Sequence, residues 1–161
     1  MVNAYKLSII YYLIFSLLLV LSAYLLFDYK IGFSYQGVVD YYLGNEDKFI
    51  PAKSFSGLLK IILPHVFVFG LISMVLLHFL VFTKLRYKKS TLILIYMTFI
   101  SALLEIFTPF LIISGLEFFA YIKLISFFIF LLFCYMFLGY FIAVLFLIKT
   151  QKTAFLTLST S

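Results

Sequence analysis

The chain is expected to be an all-α membrane protein, a bundle of four transmembrane helices with a short amphipathic interfacial helix in the first external loop. Three observations lead there. Of 161 residues, 66% are hydrophobic and 11% charged, against roughly 45–50% and 25% in a soluble domain. The apolar residues form four long runs, and the basic residues gather at the ends of those runs. In lipid every backbone hydrogen bond must be closed internally, which leaves helices or closed barrels. Barrel strands would alternate polar and apolar residues, and these runs do not.

Leu7–Phe27, Ile61–Thr83 and Ser126–Ile148 carry no charge, and Thr91–Ile113 carries only Glu105. Each has 21 to 23 residues, enough at about 1.5 Å per residue to cross a hydrocarbon core of roughly 30 Å with modest tilt. The first run is too long for a signal peptide and ends in Tyr24-Leu-Leu-Phe27 without a small-x-small cleavage site, so it reads as a retained helix. The whole chain, 1–161, is expected to form a single integral domain. The last residues, Thr153–Ser161, read as a short tail.

Orientation follows from the lysines and arginines near helix ends. One side collects Lys6, Lys84, Arg86, Lys88, Lys89, Lys149 and Lys152; the other has Lys30, Lys48, Lys53, Lys60 and Lys123, offset by Asp28, Asp40, Glu46, Asp47 and Glu117. Both termini are therefore expected on the cytoplasmic side of the membrane. The net charge of +6 then reflects topology and contact with the lipid bilayer, especially anionic lipid; no soluble basic domain exists to bind nucleic acid.

In the external loop Asp28–Lys60, Ser34 can cap a short helix over Tyr35–Leu43, closed by Gly44-Asn45. Val38, Val39, Tyr42 and Leu43 share a face, which suggests a helix lying on the outer membrane surface with its tyrosines at headgroup level. Glu46-Asp47-Lys48 reads as a solvated turn and Ser54 as a second cap.

Ionisable groups at membrane depth cost a few kcal/mol even on gentle insertion scales, which singles out His65, His78 and Glu105. If the Lys84–Lys89 turn centres an antiparallel hairpin, residues whose numbers sum to about 174 share a level. His78 then faces Tyr96, and His65 faces Pro109, one turn from Glu105. Pro109 has no amide to give the Glu105 carbonyl, so a kink and a free acceptor are expected. Pro64 sits in the first turn of the expected helix. A carboxyl beside an imidazole could relay protons, ligate a cation or orient the histidine. The alternatives are a protonated Glu105 bonded to Ser101, a glutamate snorkelling outward, and histidines bonded to neighbouring backbone.

Two histidines on one membrane helix raise b-type haem. Thirteen residues apart, they differ by about 140° around the axis, and no third histidine supplies a second axial ligand. Met74, Met97, Met136 or another subunit would have to substitute.

The stretch Phe33–Glu46, followed by Pro51-Ala-Lys-Ser-Phe-Ser-Gly-Leu-Leu59 and by Pro64-His65 through His78-Phe-Leu80, resembles a group of uncharacterised small bacterial membrane proteins. These share a YYxGxE element, a K-S/E-F-x-x-L element and then a His-rich helix. The similarity covers residues 33–82. It implies a bacterial inner-membrane setting and draws attention to Tyr41, Tyr42, Gly44 and Glu46 as an external site, with a capped interfacial helix as the plain alternative. Members carry a His-x-His pair that suggests haem or another redox centre; here its first position is Leu63.

Inventory removes other chemistries. The single Cys134 excludes membrane enzymes that exchange disulfides and vitamin K reductase-like enzymes. There is no haem-attaching Cys-x-x-Cys-His, phosphate-binding glycine loop, His-Glu-x-x-His or nucleophile elbow, and no metal site is expected. A lone membrane glutamate in four helices suggests small multidrug transporters, but theirs lies in the first helix. Gly139 and Ala143 form a small-x-x-x-small step that either packs the last helix within the bundle or makes a homodimer contact. The readings left open are a redox-linked accessory binding b-type haem or quinone through His65, Glu105 and Tyr41 or Tyr42; a non-catalytic component of a larger membrane complex; and proton-coupled transport through Glu105. Whether the chain is an enzyme stays open.

Overall fold

The computed structural model describes the backbone over residues 2–80 and 88–158, with side chains over 7–78 and 88–143. Five helices follow in order: α1 Val2–Lys30, α2 Tyr35–Leu43, α3 Phe55–Leu80, α4 Lys89–Ile113 and α5 Phe119–Leu158. All but α2 are long and apolar enough to cross a membrane, over Leu7–Lys30, Phe55–His78, Lys89–Ile113 and Phe119–Ala143. The expected all-α bundle with a short loop helix is the observed one. Most of the basic connection Lys84–Ser90 and the end of the tail lie outside the described residues.

All four long helices begin earlier than the uncharged runs suggest, and two of the differences move a residue of interest. α3 starts at Phe55, where Ser54 Oγ accepts from the Gly57 amide at 3.1 Å, so Pro64 lies inside the helix rather than in its first turn. α5 starts at Phe119 and takes in Lys123; it also continues past Ile148, so Thr153–Leu158 is helical rather than tail. A lysine interrupts an apolar run, but it is a good helix former and need not interrupt a helix.

α4 and α5 are the closest pair, joined by only five residues. Their link closes α4 with a Schellman motif: the Leu116 amide donates to Leu111 O (3.1 Å) and the Gly115 amide to Ile112 O (2.9 Å), with Gly115 at φ 96°. α1 packs on α5, α3 on α4, and α2 on both α4 and α5. Phe27 stacks on Phe127 at 4.0 Å, and Phe69 meets Phe130 at 4.6 Å. Tyr12 Oη donates to Ile72 O at 3.3 Å, tying α1 to α3.

α4 is amphipathic in the sense lipid requires. Its buried side is Thr91, Thr98, Ser101, Ala102, Glu105, Thr108, Pro109 and Ile112, while Leu92, Ile93, Met97, Ile100, Leu103 and Phe107 are exposed. Small residues let helix backbones approach where lipid removes the hydrophobic drive. The hydroxyls are satisfied locally, Thr98 donating to Leu94 O (2.8 Å), Ser101 to Thr98 O (2.9 Å) and Thr108 to Leu104 O (2.7 Å).

The loop helix forms as its caps suggest. Ser34 Oγ accepts from the Gly37 amide at 3.0 Å, and Gly44 ends α2 at φ 85°. Its apolar face is turned onto the bundle, with Val38 and Tyr42 buried, rather than spread on the membrane surface. α4 and α5 offer that face a packed protein surface. Gly37 permits the tight turn from α1 into α2, because a Cβ there would stand 2.1 Å from the Ile31 carbonyl oxygen. After α2 the chain doubles back through paired Asn45 and Ile50, whose amides and carbonyls exchange bonds of 2.8 and 2.9 Å.

Candidate functional site

Glu105 is buried in the bundle, and its partner is Lys123 of α5. The Lys123 ammonium forms an ion pair with Glu105 Oε2, and both side chains are under 10% exposed. The same ammonium donates to the Glu105 carbonyl at 2.9 Å. This is the acceptor that Pro109 leaves without an amide, so one lysine fills both the helix defect and the carboxylate beside it. Ser126 Oγ lies 3.3 Å from Glu105 Oε1 and 3.0 Å from the Lys123 carbonyl, donating toward both acceptors. A charge in this setting is tolerated only when paired and hydrogen-bonded, and here it is.

The pairing of Glu105 with His65 suggested by the hairpin level is therefore replaced. Lys123 reaches Glu105 from the neighbouring helix, whereas the His65 ring bonds its own helix, Nδ1 lying 2.6 Å from the Ile61 carbonyl. A carbonyl only accepts, so Nδ1 carries the proton, and a neutral ring presents a lone pair at Nε2. His65, Phe69, Ile72 and Leu76 follow one another at helical spacing along one side of α3. Ile72 and Leu76 are buried and Phe69 half-buried, but His65 is exposed, with its ring edge-on to Phe69 at 5.6 Å. The stripe is covered toward mid-bundle and open at its N-terminal end.

His78 and Tyr96, expected at one level, are both exposed. Gly139 and Ala143 are exposed too, and a Cβ on Gly139 would meet nothing within 4 Å. The small step thus packs no helix among the described residues; the close approach is made instead by the small residues of α4.

In the loop between α1 and α3, Tyr41 and Tyr42 are neighbours in a T-shaped contact of 4.9 Å, and Lys53 Nζ stands 4.8 Å over the Tyr41 ring. Burial first, and then the Glu105 charge, push the Tyr42 phenol well above its ordinary value. α2 packs on the two helices, α4 and α5, that carry the ion pair. The hub of the loop is Asp40, a residue the motif reading passed over. Gln36 Nε2 (2.8 Å) and Asn45 Nδ2 (2.9 Å) donate to its Oδ1, and Lys48 Nζ (2.7 Å) to Oδ2. These bonds, that from Lys48 foremost, hold its carboxyl down at about 2. Glu46 is exposed in the turn, its carbonyl accepting from the Phe49 amide at 3.1 Å.

No group of three or more His, Cys, Asp or Glu side chains that could hold a metal ion occurs among the described residues. Lys123 is what the sequence reading missed; it was counted among the external basic residues. The available signal was its spacing: with helix-forming residues on both sides of it, a lysine 18 residues after Glu105 returns near it across a short hairpin.

Four membrane-length apolar helices around a buried polar cluster define a multi-pass α-helical membrane protein. Residues 32–154 match the profile of Aq_1264_TM, a transmembrane helical domain family, and the chain belongs to that family. No curated protein matches the chain, and no solved structure matches it.

Proposed function

We propose that the chain is a redox-linked accessory protein of the bacterial inner membrane, both termini cytoplasmic, that holds a quinone-class molecule at His65. The observation that carries the reading is the His65 ring: its Nδ1 is fixed on the Ile61 carbonyl at 2.6 Å, and its acceptor nitrogen stands at the open N-terminal end of the α3 stripe. A quinol hydroxyl needs one such acceptor, whereas a b-type haem needs two axial ligands. His65 and His78 of one chain stand on different sides of α3, which favours quinone over haem. The inner-membrane setting and the orientation rest on the bacterial resemblance and on the basic residues of the loops.

Organic extraction of the detergent-purified protein, with an absorption spectrum of the reduced sample, tests the reading. The expected result is near-stoichiometric quinone from the wild type, its loss in His65→Leu, and no haem α-band. Wild-type protein that yields neither quinone nor α-band refutes it.

A second reading, a non-catalytic component that assembles with copies of itself or with a larger complex, is favoured by the lipid-facing Gly139 and Ala143. Gly139→Leu should then abolish dimer crosslinking in liposomes while leaving the monomer's melting unchanged; crosslinking unaffected by the substitution rejects this face. Transport through Glu105 is the least supported reading, because the carboxylate is held by Lys123 and Ser126.

A further inference from the structure

The turn that follows α2 holds a strained aromatic. Phe49 has φ 55° and is the one non-glycine in the left-handed region among the described residues, where a bulky side chain is an outlier. It is also 94% exposed. The turn does not relax, because the residues around Phe49 are fixed. The Phe49 amide donates to Glu46 O at 3.1 Å, and Asn45 and Ile50 pair on either side of it. The Lys48 amide donates to Asn45 Oδ1 at 3.2 Å, while its ammonium reaches the buried Asp40. Glycine or asparagine at this position would relieve the backbone, and a polar residue would relieve the exposure. Strain that the surroundings over-determine points to a use for the side chain held there.

The position of the turn says what lies against it. The Lys53 amide donates to Tyr42 O at 2.9 Å, so the chain leaves the end of α2, doubles back and enters α3 beside it. The membrane-length run of α3 starts at Phe55, which is exposed and meets Phe110 in the last turn of α4 at 5.7 Å. Phe49 precedes Phe55 by six residues, at most about 20 Å of extended chain and less in a chain that folds back. The turn therefore stands at the bilayer edge, where amphipathic loops and aromatic rings are stable. α2 spends its apolar face on the bundle, which leaves Phe49 as the loop's apolar contact with lipid.

Charge narrows the headgroup. The α2–α3 loop has two lysines, Lys48 bonded to Asp40 and Lys53 over the Tyr41 ring. Glu46 and Asp47 are exposed beside Phe49, in no ion pair among the described residues. An anionic leaflet carries a negative potential that repels such a tip, whereas an aminophospholipid presents an ammonium group to it.

We propose that Phe49 inserts at the headgroup–acyl boundary of a leaflet rich in zwitterionic aminophospholipid, the Glu46 and Asp47 carboxylates meeting the lipid ammonium groups. This contact involves neither His65 nor Gly139 and stands apart from the quinone and assembly readings.

The chain contains no tryptophan, so Phe49→Trp gives the full-length protein a single fluorophore at the tip. In liposomes of phosphatidylethanolamine and phosphatidylcholine, lipid brominated near the glycerol end of its acyl chains should quench most of the emission and aqueous acrylamide little. In phosphatidylglycerol liposomes the ratio of lipid to acrylamide quenching should fall about fivefold, and Glu46→Gln with Asp47→Asn should restore it. Asp40→Asn, which opens the clasp, should shift quenching toward acrylamide while buried Cys134 stays protected from maleimide. Acrylamide quenching without lipid quenching in the ethanolamine liposomes puts the tip in water and overturns the proposal. Protection from both quenchers also overturns it, because the tip is then covered by a second copy of the chain. Equal lipid quenching in the two kinds of liposome overturns the headgroup assignment.

Discussion

Removing Lys123 should cost more than removing the acid it neutralises, although both remove the same ion pair. Lys123→Leu strands the Glu105 carboxylate with only Ser126 and also strips the donor from the Glu105 carbonyl that Pro109 leaves unbonded. Glu105→Leu keeps that carbonyl, so the lysine retains one of its two acceptors at 2.9 Å. Removing one member of a buried pair costs about 3–5 kcal/mol, which places Glu105→Leu near ~3 and Lys123→Leu near ~4 kcal/mol. The double replacement restores an apolar contact of similar volume and should cost only about 1 kcal/mol, so the two sites couple by several kcal/mol. Reversible unfolding in mixed detergent, followed by maleimide capture of Cys134, measures all three variants with one intrinsic probe, because that thiol is 1% exposed when folded. Additive costs, or a smaller loss for Lys123→Leu than for Glu105→Leu, would refute the double role given to the lysine.

The Asp40 clasp gives a pH prediction: its folded value of about 2 lies below the ordinary 3.8, so its stabilisation is complete above about pH 4 and disappears as pH falls through about 2. The Asn45 and Ile50 amide signals in detergent NMR should follow that transition and lose it in Asp40→Asn. Gly44→Ala should cost about 2 kcal/mol, because a Cβ at φ 85° would stand 2.6 Å from the Ala52 nitrogen and 2.8 Å from the Ile50 oxygen; a thermal melt equal to wild type would contradict this. Ser73 Oγ is buried without a hydrogen-bond partner among the described residues, so Ser73→Ala should leave stability unchanged or raise it by up to about 1 kcal/mol, as read from the same unfolding curves.

The helices and the loop caps were readable because each rests on local chemistry. Run length fixes a crossing, and Ser34, Gly44 and Ser54 each settle a helix end within a few residues. The free carbonyl behind Pro109 was readable for the same reason. Its partner was not, since a lysine interrupts an apolar run and joins the loop in any count based on charge. The small residues that pack within the chain were hidden for a different reason. Gly139-x-x-x-Ala143 has the familiar spacing, yet the packed face belongs to α4, where Thr, Ser, Ala and Pro recur without one compact motif. Which side of α3 remains open at His65 depends on how α1 and α3 meet, and neither helix carries that in its own sequence.

The pairing of Glu105 with Lys123 also bears on how the chain is made. At synthesis rates of about 5–20 residues per second, the lysine, 18 residues downstream, emerges about 1–4 s after the glutamate. During that interval α4 carries a carboxyl group without its counter-ion, and an ionisable group at membrane depth is costly until it is paired. The five-residue link lets α4 wait beside the translocon until α5 arrives and then enter lipid with it as one hairpin. The fourth crossing thus brings the cation that the third leaves unpaired, and the pair closes only after both helices have been synthesised.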